Sequence, residues 1–232
     1  MSEQVRPEVL ISRLTSENQA WRADAEARLV SLGEAAVDPL IAALRHANPA
    51  VRIHAVHALA RLRSPRAIAP VIGALSETEN TGAVAIAAEK ALVEWGQPVK
   101  SALLDAAKAG PEAVRARAVR ALGRIGGEDL DAALRSLLGD PLASIRGQAA
   151  AALGTAIGER AVEVIAPLLS DPDKWVRYGV AEALVRIGSV RGRAVLEQAR
   201  GDVEEQGTYI RFWAEDLLDQ LEELERTGRA LS

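Results

Sequence analysis

One arrangement of apolar and polar positions recurs along nearly the whole chain: an aliphatic anchor, an arginine next to it, a small residue four positions after the anchor and a leucine eight after it. The copies read Trp21-Arg22…Ala25…Leu29, Val51-Arg52…Ala55…Leu59, Val84-Ala85…Ala88…Leu92, Val114-Arg115…Ala118…Leu122, Ile145-Arg146…Ala149…Leu153, Val176-Arg177…Val180…Leu184 and Ile210-Arg211…Ala214…Leu218. Successive anchors are 30, 33, 30, 31, 31 and 34 residues apart. Positions 0, 4, 8 and 11 share one stripe of a helix that turns about 100° per residue. The eleventh position is filled by Leu32, Leu62, Trp95, Ile125, Ile187 and Leu221. In the fifth copy, Gly154-Thr155-Ala156-Ile157-Gly158 puts the apolar residue one place out of step, and a bulge or an early helix end is expected there.

A shorter apolar segment precedes each of these helices, as in Ala36–Leu44 and Ala67–Leu75. Gly33, Gly96, Gly126, Gly158 and Gly188 mark the joints, where a left-handed residue ends a helix. Pro49, Pro111, Pro141 and Pro172 suit the start of the second helices, with Asn48, Asp140 and Asp171 before them as N-caps. No period-two strand pattern occurs. Each unit of about 31 residues is therefore predicted to be a helical hairpin that buries its stripe by stacking on its neighbours. Seven hairpins are expected, at residues 7–32, 34–62, 65–95, 98–125, 128–157, 159–187 and 190–226, in one elongated domain over 1–232 with no linker.

The motif Asp-Pro-x-x-x-(Val/Ile)-Arg-x-x-(Ala)-x-x-x-Leu-(Gly)-x-Ile-Gly, with the bracketed Ala and Gly variable, as in Asp171 through Gly188, resembles the HEAT repeats, and more closely their short phycobilisome-lyase-like variety. The resemblance implies an all-α, right-handed α-solenoid of about seven stacked hairpins whose second helices line a concave face. Function does not follow from it, because the family includes scaffolds, inhibitors, bilin lyases and a few metal enzymes. The third copy departs from the pattern, with Ala85 in place of arginine and no Asp-Pro.

Composition narrows the field. The 232 residues carry 28 Lys+Arg against 32 Asp+Glu, a net charge of −4, which argues against a dedicated nucleic-acid binder. With no cysteine, disulfides, thiolate metal sites and cysteine nucleophiles are excluded. No apolar run of about 18 residues and no apolar N-terminal region occur, so no membrane span is expected and the default location is cytoplasmic.

Candidate chemistry is sparse. The arginine ladder Arg22, Arg52, Arg115, Arg146, Arg177, Arg211 lies beside the core stripe and is read as bracing the loops between repeats. His54 and His57 stand one turn apart, but no carboxylate partner is evident in sequence, and neither HExxH nor the repeated His-Glu pairs of the family's di-iron hydroxylases occur. His46 is alone. No metal, cofactor, phosphate loop or catalytic residue is expected, and nothing in the sequence calls for an enzyme.

The outward stripe of the second helices, one before the anchor and two, six and ten after it, is the remaining candidate. It carries Arg61, Lys90, Arg120, Arg124 and Arg186 against Glu94, Glu182 and Asp216. Five of the seven aromatic residues fall in the last two copies: Trp175, Tyr178, Tyr209 and Phe212 on the stripe, Trp213 on its flank. Trp21 and Trp95 hold core positions and are read as packing. Exposed aromatics beside arginines are the composition of protein-binding hot spots. The expected function is a non-catalytic scaffold that holds a protein or an acidic peptide. Burial of the aromatics under the last helix as a cap, a nucleic-acid-binding repeat protein of the DNA-repair type and a bilin-lyase-like enzyme are the alternatives.

Overall fold

The structure is a computed structural model, and it describes residues 6–78, 82–201, 219 and 226. Among them the chain is all helical, with no strand. The order is α1 (Pro7–Arg13), α2 (Gln19–Ser31), α3 (Val37–Ala43), α4 (Pro49–Leu62), α5 (Ile68–Gly73), α6 (Ala83–Trp95), α7 (Lys100–Ala109), α8 (Glu112–Ile125), α9 (Asp131–Ser136), α10 (Ala143–Ile157), α11 (Val162–Ile165), α12 (Lys174–Ile187) and α13 (Val190–Gly201). Short 3-10 turns lead into most of the odd-numbered helices. Six hairpins, α1/α2 through α11/α12, match the sequence periodicity, and α13 opens a seventh. The chain divides within α8 into two compact units, Met1–Ala121 and Leu122–Ser232, each a stack of hairpins.

The repeated stripe is the core. Val51, Ala55, Leu59, Val84, Ala88, Leu92, Ala118, Leu122, Ile145, Ala149, Leu153, Val176, Val180 and Leu184 are all sealed from solvent. Small side chains let the second helices approach one another closely. In the second unit α10 lies against α12, where Gly147 meets Gly179, and a Cβ on Gly123 of α8 would fall 2.8 Å from Ala152. Trp95 is buried as expected, and its indole N–H donates to the Ala60 carbonyl at 2.8 Å. Trp21 is not buried: 65% of it is exposed. It occupies the first anchor position, and among the described residues no earlier hairpin is stacked there to cover it.

The joints follow the sequence reading. Gly33, Gly96, Gly126, Gly158 and Gly188 all have positive φ, and Arg63 takes the same left-handed place after α4. Asn48 caps α4 by accepting from the Ala50 N–H. Two details differ. Asp140 and Asp171 accept from the N–H groups of Leu142 and Asp173 two residues on, so they form turns before the helices, and α12 is capped by Asp173. The fifth copy shows neither bulge nor early end. α10 runs on for 15 residues, which brings the displaced Ile157 into a buried position.

Candidate functional site

The arginine beside each anchor turns back toward its own hairpin loop. One Nη1 of Arg22 donates to the carbonyls of Ser16 and Glu17, that of Arg52 to His46 and Ala47, that of Arg146 to Asp140 and Pro141, and that of Arg177 to Asp171 and Pro172. Arg115 donates through Nε to Ala107. Two of them also reach the next hairpin: Arg52 lies 3.3 Å from Glu77, and Arg146 makes a two-pronged contact with Asp171 at 2.7 and 2.8 Å. The ladder is thus a set of loop braces. Where Ala85 interrupts it, Arg117 of the following repeat takes hold of the loop, donating to the carbonyls of Leu75 and Glu77. Arg211 lies outside the described residues.

The outward stripe is solvent-facing as its phase requires. Ile86, His57, Arg61, Lys90, Glu94, Arg120, Arg124, Trp175 and Arg186 are exposed, while Ile53, Tyr178 and Glu182 are half-buried. Most of its cations already face a carboxylate. Arg61 is 3.7 Å from Glu26, Lys90 4.0 Å from Glu94 and Arg186 2.6 Å from Glu182, and Arg120 clasps the buried Glu89 with both Nε and Nη2. Those hydrogen bonds to Glu89 raise the Arg120 guanidinium above its usual value, against the opposing effect of burial. In the second unit Trp175 is 64% exposed and meets Tyr178 edge to face with ring centroids 6.4 Å apart. The ammonium of Lys174 stands 5.4 Å from the centre of the Trp175 ring. Tyr209, Phe212 and Trp213 lie outside the described residues.

The sequence shows no carboxylate partner for His54 and His57, and the structure supplies one in Glu26. Glu26 of α2 and His54 and His57 of α4 put one ligating atom each within 4.8 Å of one another. His54 Nδ1 and Glu26 Oε2 are 2.8 Å apart, and the two imidazoles stand perpendicular at 6.1 Å. Burial pushes the Glu26 carboxyl up. The hydrogen bond from His54 and the charges of His57, His54 and Arg61 outweigh it and hold the carboxyl below its ordinary range. The His57 ring is exposed, yet its crowded surroundings strip part of its hydration and push it down. His54 and Lys90 add to that push, while Glu26 and Glu94 oppose it. The available signal was repeat register: Glu26 lies five residues past its anchor, beside the positions three and six past the next one. His46, the remaining histidine, accepts through Nδ1 from the Asn48 N–H in the hairpin loop.

No helix among the described residues is long and apolar enough to cross a membrane. No curated protein sequence matches the chain. Among solved structures it is similar to human deoxyhypusine hydroxylase in complex with glycerol, at 21% identity over 94% of this chain and 96% of that one, with a TM-score of 0.45. It is also similar to the complex of CpcE and CpcF of phycocyanin lyase from Nostoc sp., at 22% identity over 94% and 95%, TM-score 0.43. A third is the archaeal HEAT-like repeats protein from Thermococcus onnurineus, at 14% identity over 95% and 98%, TM-score 0.46. The sequence profile of the HEAT repeats matches residues 7–93, 80–154 and 132–219, nearly the full run of hairpins, and the chain belongs to the HEAT-repeat family.

Proposed function

We propose that the chain is a non-catalytic binding scaffold that holds a protein or peptide on the exposed face of its second helices. The observation that carries this reading is Trp175, a large apolar ring left 64% exposed and buttressed by Tyr178. An aromatic pair of this kind supplies much contact area for little conformational entropy, the property of an interface anchor. Tyr209 and Phe212 hold the same repeat positions as Trp175 and Tyr178 one copy later, and with Trp213 they extend the anchor in this reading. Arg186, three turns along α12 from Trp175, remains half-exposed beside Glu182 and offers a donor to an acidic group on the partner. Arg120, Arg124, Arg61 and Lys90 are assigned a secondary part in attracting such a partner. Pairing of most of these cations with the chain's own carboxylates leaves little free positive charge, which favours a peptide over a nucleic-acid backbone. The compartment we assign is the cytoplasm.

Selection of binders from a random peptide library against the purified protein tests this. Selected peptides should combine apolar residues with carboxylates. Trp175→Ala, Tyr178→Ala and Phe212→Ala should each weaken them by about 2 kcal/mol, roughly thirtyfold. Trp175→Ala should leave stability within about 0.5 kcal/mol, as expected for an exposed side chain. Failure to select any peptide, or peptides indifferent to all three substitutions, would reject the reading.

A further inference from the structure

The cluster of Glu26, His54 and His57 lies on α2 and α4 of the first unit, whereas the aromatic pair belongs to α12 of the second. Its ingredients are two imidazoles and one carboxylate, drawn from two adjacent helices and directed at one point. His54 and His57 are one turn apart on α4, so they present their rings on the same side, and α2 packed alongside brings Glu26 opposite them. The inner pair is well sheltered: the side chains of His54 and Glu26 are 22% and 16% exposed. His57 closes the group from the solvent side.

We propose that Glu26, His54 and His57 bind a borderline divalent transition cation, zinc foremost, with the fourth position open to water or to a ligand from outside the chain. The donor set decides the class of ion. Imidazole nitrogen suits zinc and its neighbours in the first transition row, whereas magnesium and calcium demand oxygen ligands in greater number. A two-histidine, one-carboxylate set with a vacant fourth place is a familiar three-ligand shell for zinc. Size agrees as well. Ligand bonds of about 2.1 Å in a tetrahedral shell hold donor atoms about 3.4 Å apart. The three donors lie within 4.8 Å of one another, with His54 Nδ1 and Glu26 Oε2 at 2.8 Å, so that pair parts by about 0.6 Å to reach the tetrahedral spacing, and the exposed His57 ring has room to adjust toward it.

The charges around the cluster sharpen the proposal. Among the described residues Arg61 also pairs with Glu26: its Nη1 is 3.7 Å from Oε1, and its side chain is 55% exposed. It balances the carboxylate when no metal is bound and is free to swing into solvent when one is. Lys90 and Glu94, also facing His57, carry opposite charges and are paired with each other. This set is unlike the repeated His-Glu pairs of the di-iron hydroxylases: its carboxylate comes from one repeat and both histidines from the next.

The test is calorimetric titration of zinc chloride into tag-free, chelator-stripped protein, with cobalt(II) as a spectroscopic substitute. Wild type should take up one zinc per chain and, with cobalt, develop the intense visible absorption of a tetrahedral ion. His57→Ala, an exposed site that bears little on the fold, and Glu26→Gln should each reduce zinc affinity at least about tenfold. Their helical circular dichroism in chelator should match that of wild type. Arg61→Ala should strengthen binding by removing the competing cation. The proposal is overturned if no stoichiometric uptake occurs, if uptake survives the double substitution His54→Ala/His57→Ala, or if Arg61→Ala weakens it. None of these outcomes bears on the peptide-binding reading, whose variants lie in the other unit.

Discussion

Replacing Arg146 by alanine removes two hydrogen bonds to the Asp171 carboxylate and one each to the carbonyls of Asp140 and Pro141. The Arg146 and Asp171 side chains are only 15% and 7% exposed. Breaking a buried, two-pronged ion pair from one side costs about 3–5 kcal/mol, because the remaining charge is left without its partner. Two circumstances reduce that here. Asp171 retains the Asp173 N–H, and the contact is at the loop end of the hairpin, where water replaces part of what is lost. The expected loss is therefore about 2–3 kcal/mol, roughly 5–10 °C in melting temperature for a chain of this length. A double-mutant cycle with Asp171→Asn should return a coupling of about 1 kcal/mol or more. A loss below about 0.5 kcal/mol, or strict additivity, would refute the brace as a stabilising device and reduce it to an ordinary surface pair.

Acid gives an independent check. The hydrogen bonds from Arg146 are the main cause that holds the Asp171 carboxyl below its ordinary range; burial opposes them, and the Asp173 N–H and the charges of Arg146 and Arg177 assist. A carboxyl whose folded value is depressed contributes stability that is present above its unfolded value, about 3.9, and lost as pH falls through the folded one. The gap in stability between wild type and Arg146→Ala should accordingly be full at neutral pH and shrink as the pH falls below about 4. A gap that stays constant down to pH 2 would show that the carboxylate charge plays no part in it.

Two further substitutions probe the stacking. Arg117→Ala should cost about 1–2 kcal/mol, since it strands the Leu75 and Glu77 carbonyls in the one loop whose own anchor carries Ala85, and hydrogen exchange of the flanking amides should accelerate there. Gly123→Ala and Gly179→Ala should differ in sign. The first drives a methyl to 2.8 Å from the Cα and Cβ of Ala152 and should destabilise by about 1–3 kcal/mol. The second meets nothing nearer than 3.6 Å and should gain up to about 1 kcal/mol from helix propensity, both read by thermal melting.

Much of this fold could be read from the chain because a single helical stripe is written out repeatedly, and a stripe needs no knowledge of its neighbours to be seen. The braces were legible for a related reason: an arginine beside an anchor is within reach of its own loop carbonyls, five and six residues back, or eight for Arg115. What depended on the neighbouring repeat was harder. The anchor pattern of Trp21 says core, but burial of an anchor takes a hairpin on its far side, so the pattern alone overstated it. The shifted Ile157 suggested a defect, yet lengthening the helix by one residue was the cheaper solution, because it keeps the hydrogen-bond ladder intact.

The metal-ligand cluster was hidden for the same reason, and the structure supplies the missing rule. Glu26 is five past the first anchor and His57 six past the second; Glu89 is five past the third and Arg120 six past the fourth. In both cases the carboxylate at the fifth position of one repeat faces the sixth position of the next, across 31 residues of sequence. The slot is the same, and the side chain opposite determines its chemistry. An arginine there offers a fork of donors that cannot be deprotonated, and the result is a closed ion pair. A histidine there offers a lone pair. With a second histidine one turn earlier on the same helix face, the slot becomes a three-donor site rather than a brace. Sequence order separates Glu26 from His54 by 28 residues, and only the offset between stacked helices reveals them as neighbours.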